Sequence, residues 1–271
     1  MSDDLLINPW QDLAKKSQPK IRLFVKNNNK ISLIINQELE IANNDFEYLT
    51  KVMRQKVGNQ IIVFDGSSGE FIGQITAINK KTLIIKLQQK IDELKKCPNI
   101  TLAFAMVKNV RLDYIASKAT ELGVSNFQPL LTHRTIVDKI NLDRFTANVK
   151  EAVEQCNRND FPQIFPLIKL NKYLLNNSNN KILIFGDESG NGESASKALP
   201  KITLQNNQEI VLIIGPEGGF SSEEFLKLRQ LKNSFALNFG PRILRADTAI
   251  ICGLTLIQEF LGDFKDKVNF L

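Results

Sequence analysis

Residues 210–249 constrain this chain most, because they place two glycine loops at the ends of two short apolar runs. Ile210-Val211-Leu212-Ile213-Ile214 is continuous, apolar and rich in β-branched side chains, the pattern of a strand covered on both faces. It stops at Gly215-Pro216-Glu217-Gly218-Gly219, a loop whose backbone a ligand can approach closely because few Cβ atoms stand in the way. Ser221 and Glu224 then have the spacing of a capping box, which predicts a helix over Glu223–Leu231. A second strand, Phe235–Phe239, leads into Gly240-Pro241-Arg242-Ile243-Leu244-Arg245 and the start of a last helix. Loops at the carboxyl ends of strands are where an open α/β sheet binds its ligand. Neither loop matches G-x-G-x-x-G or G-x-x-x-x-G-K-[ST], so dinucleotide and P-loop readings lose support. Glycine-rich turns also arise for geometric reasons alone. The pairing of two such loops, the second with Arg242 and Arg245, marks a ligand site here without naming the ligand.

The rest of the chain divides by its periodicity. Residues 1–20 are polar without a clear period and form an expected N-terminal extension. Residues 21–90 carry strand candidates at Ile21–Val25, Ile31–Ile35, Gln60–Asp65, Glu70–Ala77 and Thr82–Leu87, with one helix expected over Asp45–Arg54. So many short strands predict a small barrel, which closes its own edges. Lys90–Asn99 has the look of a linker. In the segment 91–271 strands alternate with helices, the signature of an α/β layer domain. Its expected elements are Ile100–Val107, Arg111–Leu122, Phe127–Leu131, Leu142–Asn157 and Ile182–Phe185, the last followed by a turn from Gly186 to Gly192. The final helix, Asp247–Phe260, is apolar nearly all round, so it is buried on more than one side, either in its own domain or against a second copy.

Composition narrows the function. The chain has 271 residues, enough for one large or two ordinary domains. Three cysteines far apart and a single histidine, His133, indicate neither a disulfide framework nor a metal site. No apolar run approaches bilayer length and Met1-Ser2-Asp3-Asp4 lacks a basic start, so the expected location is cytoplasmic, with no membrane partner. A net charge of +6 favours an acidic partner, most commonly nucleic acid.

The segments Ile214-Gly215-Pro216-Glu217-Gly218-Gly219-Phe220-Ser221 with Glu224, and Leu237 to Ala249, resemble the small-subunit ribosomal RNA methyltransferase E family of the SPOUT superfamily. Supporting stretches follow in order at Arg22–Val25, Tyr48–Arg54, Lys118–Val124 and Glu154–Arg158. The chain departs from the family's pattern at Glu47, Cys156 and Asp247. The resemblance implies a PUA-like RNA-binding barrel followed by an α/β methyltransferase domain with a deep trefoil knot. It further implies a homodimer that uses S-adenosylmethionine to methylate N3 of a uridine in small-subunit ribosomal RNA, naked or in the assembled subunit.

On that resemblance the cofactor would be held by Phe185, Gly186 and Asp187, by Ile214 to Gly219 (Ile214, Gly215, Pro216, Glu217, Gly218, Gly219), and by Leu237, Asn238, Phe239, Gly240, Ile243 and Leu244. N3 of uridine carries a proton and must lose it to attack a sulfonium methyl, and arginine suits the resulting anion because it stays charged and donates in a planar fork. Arg245 and Arg158 are the expected catalytic residues, with Arg242 ranked below them. Arg22, Lys51, Arg54, Lys108, Arg111 and Arg134 are the expected RNA contacts. His133 and Glu217 carry no assigned role. A knotted methyltransferase acting on tRNA or large-subunit rRNA, and a non-catalytic RNA-binding factor, stay open as alternatives.

Overall fold

The computed structural model describes residues 19–26, 31–106, 112–135, 139–175 and 180–266. It divides into two compact units, residues 1–94 and 95–271. Among the described residues no helix is long and apolar enough to cross a membrane.

The first unit is a five-stranded sheet of β1 (Arg22–Phe24), β2 (Glu38–Ala42), β3 (Gln60–Phe64), β4 (Glu70–Ile78) and β5 (Thr82–Asp92) in the order β1-β3-β4-β5-β2. Only β1 and β3 pair in parallel; the other neighbours are antiparallel. Register shifts along β4 and β5 curl the sheet, as bulges do. On β5 Leu83, Ile85 and Leu87 point inward while Lys86 is exposed, the period of two that a half-buried strand requires. A Cβ at Gly73 would strike Ile85, so glycine lets the two strands approach there. Helix α1 (Asn43–Glu47) passes into a π-turn over Tyr48–Val52, which places Leu49 in the core.

One expected strand is displaced. Ile31–Ile35 is irregular, and the strand forms instead at Glu38–Ala42 against β5. Leu33 alone of that apolar run is buried, with its N–H donated to Ser68 Oγ, while Ile31, Ile34 and Ile35 stay exposed. The linker expected from Lys90 starts later, since β5 continues to Asp92.

In the second unit the order of elements is β6 (Ile100–Ala105), α2 (Leu112–Glu121), β7 (Asn126–Leu131), α3 (Leu142–Gln155), β8 (Gln163–Ile164), β9 (Ile168–Lys169) and α4 (Leu170–Leu175). Then follow β10 (Lys181–Gly186), β11 (Glu193–Ser194), α5 (Ala195–Ala198), β12 (Glu209–Ile214), α6 (Ser222–Gln230), β13 (Ser234–Asn238) and α7 (Ala246–Leu261). The sheet is parallel throughout, in the order β11-β13-β10-β12-β6-β7-β8, with β9 also on β7. Both faces are covered, which explains why β6 and β12 are apolar apart from Thr101 and Glu209, which hydrogen-bond to each other. Val211 and Ile213 pack in one cluster with Leu170, Leu174 and Leu228 from α4 and α6. Leu212 meets α7 at Gly253, where an added Cβ would lie 2.9 Å from Leu212 Cδ2. One face of α7 (Ala246, Ile250, Leu254, Ile257) is buried in its own unit, whereas Ile251, Cys252, Leu256 and Phe260 are only half-buried.

Candidate active site

Strands β13, β10 and β12 are neighbours, with Gly186 level with Leu237 and Phe185 level with Ile213. Their carboxyl ends therefore open side by side, and the three loops that leave them enclose a cavity of about 260 Å³. The first loop gives Gly186, Asp187, Glu188 and Gly190; the second gives Ile214, Gly215, Pro216, Glu217, Gly219 and Phe220. The third gives Asn238, Phe239, Gly240, Pro241, Arg242, Ile243 and Leu244, and α7 closes the wall with Ala246 and Ala249.

Glycine is favoured at several of these points. A Cβ on Gly186 would stand 3.0 Å from the Phe239 ring and 3.4 Å from Ile214 Cδ1. One on Gly215 would stand 3.1 Å from Phe220. Gly219 has φ +67°, and a Cβ there would run into the Glu188 carboxylate. Asn238 Oδ1 accepts the Gly240 N–H at 2.7 Å, and Gly240 takes φ +106°, a conformation that side chains disfavour.

The loops are fixed by polar contacts. Asp187 is 4% exposed; its carboxylate accepts from Ser189 N at 2.9 Å, from Ser189 Oγ at 2.6 Å and from the Arg229 guanidinium. Burial opposes ionisation of Asp187, but the Ser189 donors and Arg229 together outweigh it and hold its carboxyl below the usual range. Burial pushes Glu188 up, against the pull of Arg134, and Asp187 adds to the rise. Ser221 and Glu224 form the predicted capping box at α6: Ser221 Oγ accepts the Glu224 N–H, and Glu224 Oε2 accepts the Ser221 N–H at 2.9 Å. Glu224 also reaches the turn after β7, where its Oε1 accepts the His133 N–H at 2.8 Å.

Of the residues expected to hold a cofactor, Gly186, Asp187, Ile214, Gly215, Pro216, Glu217, Gly219, Asn238, Phe239, Gly240, Ile243 and Leu244 all line the cavity. Phe185 and Leu237 do not; they are fully buried, one residue short of the strand ends. Gly218 turns its carbonyl to Arg134 instead. Glu188, Gly190, Phe220, Pro241, Arg242, Ala246 and Ala249 line the cavity as well. Continuity along the loops points to Glu188, Gly190, Phe220, Pro241 and Arg242, whereas Ala246 and Ala249 come from α7.

Two of the expected site residues are held by partners inside the fold. Arg158 is buried and fully engaged: Nε and Nη2 donate to Asp160 at 2.9 and 3.0 Å, and Nη1 donates to the Thr120 and Val124 carbonyls at 2.9 Å each. It caps the end of α2, while Asp160 accepts the Cys97 N–H. The Arg22 side chain is likewise buried, paired with Glu70 at 2.7 Å and stacked 4.7 Å over the Phe64 ring. Arg245 is exposed at the N-cap of α7, between two residues that line the cavity. Lys51 is exposed and paired with Glu47 at 2.8 Å; Arg54 is exposed with φ +52°. Lys108 and Arg111 lie outside the described residues.

The cavity fits a compact ligand that carries positive charge. Asp187 is matched by Arg229, which leaves Glu188 and Glu217 as exposed carboxylates at the lining against the single cation Arg242, and no lysine lines it. Glycine backbone on three sides and a negative lip suit a sulfonium nucleoside.

The comparisons agree with this geometry. A family model described as RNA methyltransferase domain matches residues 94–258, and one described as RNA methyltransferase PUA domain matches residues 41–88. The class is thus an RNA methyltransferase with an appended PUA domain. The ribosomal RNA small subunit methyltransferase E of Rickettsia conorii is 32% identical over 235 residues, covering 86% of this chain and 94% of that protein. Its counterpart in Buchnera aphidicola is 30% identical over 262 residues, covering 93% and 98%. The crystal structure of the Neisseria gonorrhoeae ribosomal RNA small subunit methyltransferase E, bound to S-adenosyl methionine, is similar with a TM-score of 0.78 at 25% identity, covering 90% of this chain and 99% of that one. The chain belongs to the ribosomal RNA small subunit methyltransferase E family.

Proposed function

We propose that this chain transfers a methyl group from S-adenosylmethionine to N3 of a uridine in small-subunit ribosomal RNA. The observation that carries the reading is the cavity at the ends of β10, β12 and β13, two of whose three loops are the segments in which the family resemblance is most specific. The three glycine loops would hold the cofactor, which when bound supplies an electrophilic methyl group. Arg245, exposed beside the cavity, is proposed to face the uridine anion. Lys51 and Arg54, together with Lys108 and Arg111, are proposed to meet RNA phosphates.

The same reading places the protein in the cytoplasm as a homodimer. The half-buried apolar face of α7 supports the dimer: Ile251 and Cys252 share a shallow groove with Tyr114, Asp247 and Thr248, and nothing in the described chain covers it. Transfer of labelled methyl to small subunits lacking the modification, followed by nucleoside mass spectrometry, tests the proposal. The expected product is 3-methyluridine. Transfer only to tRNA or large-subunit RNA would move the assignment to another substrate, and RNA binding without transfer would favour a non-catalytic factor.

A further inference from the structure

Arg134 differs from the other cations near the cavity because several contacts fix its place. It sits in the turn Thr132–Thr135 after β7, closed by the Thr135 hydroxyl, which accepts the Thr132 N–H at 3.0 Å and pairs with Thr132 Oγ1 at 2.8 Å. The buried carboxylate of Glu224 ties this turn to the glycine loop, holding His133 N–H with one oxygen and Ser221 N–H with the other. Arg134 Nη1 then donates to the Gly218 carbonyl at 2.5 Å, between Glu217 and Gly219, both of which line the cavity. Its remaining N–H groups have no partner among the described residues, and the side chain is exposed. Arg242 and Arg245 also stand at this rim, but no contact among the described residues holds either guanidinium. A donor fixed before the reaction stabilises developing charge better than one that must be ordered during it.

We propose that Arg134 is a catalytic residue of the methyl transfer, donating a hydrogen bond to a carbonyl oxygen that flanks N3 of the target uracil. The proposal rests on the methyltransferase reading of the cavity. N3 gives its proton to water; its lone pair forms the new N–C bond with the sulfonium methyl, and the S–C bonding pair stays on sulfur as the neutral thioether leaves. Arg134 acts on the first of these events, because a guanidinium beside the imide favours its anion. The charged and titratable groups around it are Glu188 from the loop after β10, Glu217 on the glycine loop, His133 beside it, and the buried Glu224.

The test compares wild type, R134Q and R134K in methylation of unmodified small subunits from neutral to alkaline pH, with S-adenosylmethionine binding measured by calorimetry. Loss of one such donor predicts a drop of about 100-fold in kcat for R134Q at neutral pH. That deficit should shrink as pH rises and the base ionises unaided, with cofactor affinity and subunit KM little changed and R134K intermediate. A deficit confined to KM, independent of pH and sensitive to salt, would make Arg134 a phosphate contact and overturn the proposal. A parallel loss of cofactor affinity would reduce it to a support for the loop and overturn it equally. If R134Q matches wild type the proposal alone falls; if wild type makes no product, the methyltransferase reading falls with it.

Discussion

Gly219 and Gly240 both adopt positive φ, yet they should respond differently to alanine. At Gly240 nothing lies within 4 Å of the added methyl, so the cost is backbone strain alone, on the order of 1–3 kcal/mol. At Gly219 the same strain is joined by a collision with Glu188, which must leave the cavity lip. Calorimetry should show G219A losing at least about ten-fold in S-adenosylmethionine affinity, some 1.4 kcal/mol, beyond any loss in G240A. Equal affinities in the two variants would mean that the Glu188 lip does not matter to the ligand. Asp187 yields a pH prediction. Its folded pKa is lowered, so its contribution to stability is complete above the free-carboxyl value of about 3.9 and disappears as pH falls through the folded value. The Tm of D187N should therefore lie below wild type at neutral pH, with the gap closing under strong acid; a constant gap would show that charge is not the cause. At this scale the glycines were legible in the sequence, since nothing but backbone need explains their density. The burial of Arg22 and Arg158 was not, because Glu70 and the Thr120 carbonyl are brought to them only by the fold.

Among the elements, α6 shows how far local pattern reaches. The capping box of Ser221 and Glu224 followed from a spacing of three residues, and it is present. The same carboxylate's bond to His133, 91 residues away, has no local trace. Replacing Glu224 with alanine leaves the His133 and Ser221 N–H groups without their acceptor, a loss of about 1–3 kcal/mol. Thermal unfolding of E224A should show that loss, and proteolysis should cut the Thr132–Thr135 turn sooner than in wild type. An unchanged Tm would show that the carboxylate does not join the two loops. The displaced first-unit strand makes the complementary point. Ile31–Ile35 has the apolar composition of a strand, but Glu38–Ala42 has the alternation and the partner, with Ile41 buried and opposite Leu83.

Taken whole, the molecule joins a curled sheet to a parallel sheet that presents its ligand loops at one end. The last helix was legible as apolar nearly all round, but its sequence left open which sides the chain covers for itself. Ile250, Leu254 and Ile257 face inward and Ile251 and Leu256 do not, so a second copy is the proposed cover. Sedimentation should find I251D largely monomeric with an unchanged far-UV spectrum, whereas a persistent dimer would place the interface elsewhere. The most direct measurement is methyl transfer to unmodified small subunits by wild type and G219A side by side, with products identified as nucleosides. The account predicts 3-methyluridine from wild type and a strongly reduced yield from a folded G219A. Undiminished transfer by G219A, or methylation at another atom or on another RNA, would contradict it.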